Sequence, residues 1–166
     1  MNRRLLLMAL VALFTLVLDQ LSKAWIRANF AEGDGVPLLA GVVHLTHVHN
    51  HGAAWGMLSG QRWLLIAVTV VVLLGVVFAA REWAQRGLMA GVALALIGGG
   101  AVGNLIDRLH QGYVTDMIDM GTSWQWLREF PVFNIADSAL TIGVALTILH
   151  FLITARADSK TQDPRP

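Results

Sequence analysis

The chain has 166 residues, of which 55% are hydrophobic and only 14% charged, and its mean hydropathy is +0.59. A soluble domain carries about a quarter charged residues, so the composition excludes that class. A net charge of +1 with no basic tract gives no footprint for a nucleic-acid partner, and the absence of cysteine removes disulfides, thiolate metal sites and a cysteine nucleophile.

The first apolar segment covers about residues 5–26, with Arg3 and Arg4 ahead of it and Asp19 and Lys23 in its last third. No small-x-small cleavage site follows, because the chain continues "DQLSKAWIR". The segment therefore reads as a retained membrane anchor and not as a cleaved signal peptide. The turn signals Gly33, Gly35 and Pro37 come next, then the β-branched run "GVVHLTHV", which predicts a short strand. Four histidines fall in and just after it: His44, His47, His49 and His51. On a strand the last three share one face and His44 takes the other. Alternate side chains lie about 6.6–6.8 Å apart along a strand, so three imidazoles reach one ion only if the chain bends. The expectation is a polar strand near the lipid headgroups, with no metal and no cofactor.

The second apolar segment, 63–80, carries no charge, and neither does the third, 88–106. Gly91, Ala95, Gly99 and Gly103 recur every four residues on the third, a smooth face for close helix packing. Asn104, Asp107 and Arg108 stand at its end, and Asp116 and Asp119 follow. "SWQWLREF" predicts a helix or loop at the membrane surface, with Trp124 and Trp126 seated there. The fourth segment, 135–154, has Asn134 and Asp137 at its start, and residues 155–166 form a polar tail expected to be cytoplasmic and disordered. Each segment is roughly 18–22 residues, long enough to cross a ~30 Å hydrocarbon core. The expected fold is an all-α integral membrane protein, one domain over 1–166 with four transmembrane helices.

An even number of crossings puts both termini on one side. Arg3, Arg4, Arg81, Arg86, Arg156, Lys160 and Arg165 share that side, against Arg27, Arg62, Arg108 and Arg128 on the other. The excess marks the terminal side as cytoplasmic. Asp19, Lys23, Asn104, Asp107, Arg108, Asn134 and Asp137 then all gather near the outer surface, where polar groups inside a membrane usually face a cavity or a partner. Carboxylates brought that close cannot all ionise, so at least one pKa should rise. Asp19 and Lys23, four apart, fit an ion pair as well as a direct role. Asp107, beside Arg108, fits positioning better than chemistry. Asp116 and Asp137 have no basic residue at helical spacing and remain for a proton-sharing acid and base, with Asp119 competing for the first place.

Other chemistries fit poorly. There is no G-x-S-x-G elbow and no H-E-x-x-H, and adjacent Ser22 and Lys23 diverge on a helix. A proton-coupled transporter is the alternative from another class, but no inverted repeat or broken helix is visible. A zinc hydrolase built on the histidines is a third reading.

"DQLSK" (19–23), "NHGAAWG" (50–56), "GNLIDRLHQGYVTDMID" (103–119) and "FNIADSAL" (133–140) resemble, in order and over nearly the whole chain, the bacterial lipoprotein signal peptidases, or signal peptidase II family. The resemblance implies an intramembrane aspartyl endopeptidase of the bacterial inner membrane. Such an enzyme cuts prolipoproteins before a diacylglyceryl-modified cysteine and uses no cofactor. It also implies a small extracytoplasmic β-cradle and an amphipathic surface helix beside the four spans. By this resemblance the catalytic pair is Asp116 and Asp137, which decides Asp116 over Asp119. Asp19, Lys23, Asn50, Gly52, Ala53, Ala54, Asn104, Asp107, Arg108, Asn134 and Ala136 match the supporting positions. Asn50 is expected to meet the substrate backbone, with Gly52, Ala53 and Ala54 keeping the wall beside it low. Met117 and Trp55 depart from the family pattern, each standing where phenylalanine is common. The expected partners are prolipoprotein substrate and membrane lipid, with the protein acting as a monomer.

Overall fold

The structure, a computed structural model, describes residues 3–39, 41–121 and 124–161. In chain order they form α1 (Arg3–Asn29), β1 (Gly35–Leu39), β2 (Val43–Asn50), α2 (Arg62–Arg86), α3 (Leu88–His110), β3 (Val114–Asp119), the single turn α4 (Gln125–Arg128) and α5 (Ile135–Thr161). α1, α2, α3 and α5 are each long and apolar enough to cross a membrane. The fold is mostly helical, with one small sheet.

Each long helix outruns the apolar stretch that marks it in the sequence. A helix keeps its backbone bonds internal, so it continues past the hydrocarbon while residues such as Arg81, Glu82 and Arg86 reach for water. Glycine marks the ends of α2 and α3: Gly87 takes φ 131° between them, and Gly112 takes φ 86° after α3. α5 likewise continues over 155–161, where disorder is expected from composition, because no glycine or proline interrupts it before Pro164. The rest of that tail with Arg165, and the side chains of Trp126 and Lys160, lie outside the described residues.

α3 is the central helix. Some 56% of its apolar span is buried, against 17%, 6% and 11% for α1, α2 and α5, and it packs on all three. Its small residues explain why. Gly91 lies against Met8, Gly99 against Ala12 and Thr15, and Gly103 against Asp19, all on α1. Gly100 lies against Ala136 and Leu140 of α5, and Gly98 against Val76 of α2. A methyl added at Gly99 or Gly100 would stand 2.7 or 2.5 Å from a backbone oxygen of the neighbouring helix. Between helices in lipid, such close approach takes the place of a hydrophobic driving force.

The three strands form one antiparallel sheet in the order β1-β2-β3, with a bulge in β2 between Leu45 and Val48. It sits at the end of the bundle where α1 finishes and α5 begins. The Phe133 carbonyl accepts the N–H groups of Met117 and Ile118, at 3.0 and 2.8 Å, and so ties β3 to the lead-in of α5. At the opposite end the Arg4 guanidinium donates to the carbonyls of Ala84 and Gln85, capping α2 with a cation.

Candidate active site

The site grows from the first turn of α5. The Asn134 side-chain oxygen accepts the N–H of Asp137 at 2.9 Å, and the Asp137 carboxylate accepts the N–H of Asn134 at 3.2 Å. This is a reciprocal capping box, and it holds Asp137 where the helix dipole favours a negative charge. The next free donor, the N–H of Ala136, reaches Asp19 Oδ1 across the bundle at 3.0 Å. Asp19 of α1 thus caps α5, and the space it occupies is the space that Gly103 leaves open.

Lys23, one turn beyond Asp19, is the hub of a buried cluster. Its ammonium lies 3.0 Å from Asp19, 3.3 Å from Asp107 and 2.8 Å from Asn104 Oδ1. All four side chains are buried. The Asn104 amide passes the contact on, donating to Asp137 Oδ1 at 2.8 Å. Both sequence readings of Asp19 meet here, since it is ion-paired with Lys23 and also orders the helix that carries Asp137.

Asp116, on β3, accepts two amide hydrogen bonds: from Asn134 at 2.6 Å and from Asn50 at 2.9 Å. One asparagine, Asn134, therefore holds both Asp116 and Asp137. Asp119 lies at the far end of β3, in register with His44 and away from this group. Among the described residues no basic side chain comes within salt-bridge distance of Asp116 or Asp137. Burial, and secondly the negative charge of Asp137, push the Asp116 carboxyl up to about 7.

A cleft of about 600 Å³ opens beside the pair. Asp137, Asn50, Asn104 and Arg108 give it a polar wall, and Trp55, Phe130, Phe133, Leu140 and Ile142 an apolar one. Ala53 and Ala54 line it as well. Asp116 is buried and meets this wall through Asn50. Arg108 donates to the Gly52 carbonyl at 3.0 Å, and a side chain at position 52 would collide with the Met57 carbonyl 2.6 Å away. Asn50 stands in the cleft wall and is also held within the site. Its amide nitrogen is engaged by Asp116, and its oxygen accepts the N–H of Gly52 at 2.9 Å, so its first task is to hold Asp116. Trp55 takes the left-handed φ of 55° and meets Phe130 edge-on at 6.1 Å across the cleft. Trp124 lies exposed near this surface.

The histidines have other partners. His47 donates from Nδ1 to the Phe30 carbonyl at 2.9 Å, and His49 lies 3.0 Å from Glu32 while stacking on Tyr113 at 3.7 Å. His51 meets the edge of Tyr113 at 5.7 Å. Burial lowers the pKa of His49 more than Glu32 raises it, which favours the neutral ring. Among the described residues no three His, Asp or Glu side chains converge in a geometry that could hold a metal ion.

Sequence reasoning missed several residues here. The cleft uses Phe130 to Phe133, Ser138 and Thr141, which are ordinary apolar or small residues until the fold brings them together. The Asn134–Asp137 capping box had a visible signal, N-x-x-D ahead of an apolar run. Arg27 and Thr115, joined at 2.9 Å, had none, being 88 residues apart.

Comparison with known proteins agrees with this arrangement. Residues 11–153 match the family model described as signal peptidase (SPase) II. The chain is 38% identical over 154 residues to the lipoprotein signal peptidase of Halalkalibacterium halodurans, covering 93% of this chain and 97% of that one. It superposes with a TM-score of 0.84 on a bacterial membrane enzyme solved by the in meso method at 2.3 Å resolution, at 36% identity over 96% of this chain and 93% of that one. A second such structure, at 1.9 Å resolution, gives a TM-score of 0.79 and 39% identity over 87% of this chain and 92% of the other. The buried polar site at one end of four apolar helices and the match along nearly the whole sequence lead to one conclusion: the chain belongs to the signal peptidase II family of bacterial multi-pass membrane proteases.

Proposed function

We propose that Asp116 and Asp137 are the catalytic acid and base with which this signal peptidase removes the signal peptide from prolipoproteins. One observation carries the reading: two carboxylates from different elements share Asn134, one lining the cleft and the other held behind it by Asn50, and have only amide donors against their oxygens. A carboxylate clamped by a cation stays ionised. One held by amides in a buried site can keep a proton at neutral pH, as the rise of Asp116 to about 7 indicates.

The pair shares one proton. The ionised carboxylate takes a proton from a water molecule as the water oxygen attacks the scissile carbonyl carbon. The protonated partner donates a hydrogen bond, then its proton, to the carbonyl oxygen, giving a tetrahedral gem-diol. That diol then collapses: its C–N bond breaks, the leaving nitrogen takes a proton from the first carboxyl, and a gem-diol hydroxyl returns a proton to the second. The two groups titrate together, so the acid and base limbs of the rate profile belong to the pair.

The site's position suits the substrate. The diacylglyceryl-cysteine remains anchored in lipid while its peptide enters the cleft from the extracytoplasmic face, where water is available. The chain termini then lie in the cytoplasm, in keeping with the excess of arginine at that end. The cleft lies within one chain, which supports a monomer as the working unit.

The test is cleavage of a diacylglyceryl-modified precursor by the purified protein in detergent, beside the unlipidated precursor and with a chelator present. The expected outcome is cleavage before the lipidated cysteine only, unaffected by chelator, and none by Asp116→Asn or Asp137→Asn. Full activity in either variant would overturn the assignment.

A further inference from the structure

We propose that Arg27 and Thr115 form a positioning pair that sets the place of Asp116, an inference that rests on Asp116 being catalytic. Asp19, Lys23 and Arg27 recur every four residues and so share one face of α1. Asp19 and Lys23 serve the α5 side of the site. Arg27 serves the β3 side. Its Nη1 donates to Thr115 Oγ1 at 2.9 Å and lies 3.6 Å from Asp107 Oδ1. The other oxygen of Asp107 accepts the N–H of Thr115 at 2.9 Å. The residue immediately before Asp116 is therefore gripped by main chain and side chain at once, from α3 and from α1.

Thr115 is suited to this grip. It is completely buried, and its β-branched side chain has few rotamers, so fixing the hydroxyl also fixes the backbone. Arg27 has no need of a buried partner, since its side chain is 23% exposed at the bundle end. Its guanidinium nevertheless turns inward. Asp116 itself receives the amides of Asn50 and Asn134, and the Phe133 carbonyl ties the two residues after it. The Arg27–Thr115 contact fixes the residue before it, and a misplacement of about 1 Å at a reacting group can cost about a hundredfold in rate.

The experiment compares Arg27→Gln, Thr115→Val and the double variant for kcat, KM, pH profile and thermal stability in detergent, with Asp116→Asn alongside. Each single variant is expected to lower kcat roughly ten- to a hundredfold and to shift the pH profile, leaving KM and Tm near wild type. The double variant should be no slower than the slower single, because both break one contact. Arg27→Lys should recover part of the rate, since an ammonium can reach the hydroxyl but lacks the planar fork. Wild-type kcat in the single variants, additive losses in the double, or a fall in kcat that follows a fall in Tm overturns the positioning role. An inactive Asp116→Asn beside a fully active Thr115→Val rejects this inference alone. An active Asp116→Asn rejects the catalytic reading beneath it.

Discussion

Two groups of carboxylates lie side by side in this molecule and are treated in opposite ways. Asp19 and Asp107 touch the Lys23 ammonium at 3.0 and 3.3 Å and also accept backbone N–H groups, Asp19 from Ala136 through its other oxygen and Asp107 from Thr115 through the same one. Asp116 and Asp137 receive asparagine amides and, for Asp137, one N–H at the helix start. Asp19, Asp107 and Asp116 are buried and Asp137 is partly exposed at the cleft, yet only the first group has its charge balanced by contact. Cations placed against a carboxylate make it an architectural anion. Amides alone fix its geometry and leave its proton free to come and go, which suits acid–base chemistry. The asparagines link the two groups: Asn104 touches Lys23 on one side and Asp137 on the other.

The comparison can be broken first by removing charge from the amide-held group. Asp116→Asn and Asp137→Asn should each lower turnover by roughly 10³-fold or more while the protein still inserts and binds precursor, as measured by single-turnover cleavage and substrate retention. Lys23→Met tests the other group. It takes the shared ammonium from buried Asp19 and Asp107, leaving Asp107 the more distant Arg27 at 3.6 Å, and should cost about 3–5 kcal/mol of stability, read from denaturant unfolding in detergent. Lys23→Met at wild-type stability would erase the distinction between the groups.

Stability against pH sharpens the contrast. The Asp116 carboxyl is raised from its ordinary 3.8 to about 7. Between those values the unfolded chain has lost this proton while the folded protein keeps it. Stability should therefore fall as pH rises from about 4 to 7, by up to about 4 kcal/mol. In Asp116→Asn the thermal midpoint should fall less between pH 5 and pH 8 than in wild type. Equal falls in both proteins would show that Asp116 is ordinary. The smallest effect concerns packing around the charges. Gly103→Ala puts a methyl against the Asp19 carboxylate and should cost about 1–3 kcal/mol. Gly75→Ala on α2 meets nothing within 4 Å and should stay within about 0.5 kcal/mol of wild type.

The membrane spans were legible because hydropathy is a local property, and their true ends were not, because a helix keeps its internal hydrogen bonds past the hydrocarbon until a local signal such as Gly87 ends it. The histidines drew attention as a cluster, yet contacts with Phe30, Glu32 and Tyr113 decided what they do. Asn50 was legible as important, but its occupation by Asp116 and Gly52 was not.

By itself, then, the sequence determined four spans, a polar layer at one end and the residue types able to share a proton, since composition, periodicity and local motif carry those directly. Spacing along α1 already suggested that Asp19 meets Lys23, but only the tertiary structure decided that Asp107 joins them and that Asp116 and Asp137 meet amides. Asp19 and Asp107 come from helices joined by no short connection, and Asp116 and Asp137 from a strand and a helix start. Charge compensation acts over a few ångströms in space, and beyond the four-residue step from Asp19 to Lys23 no spacing along the chain encodes it.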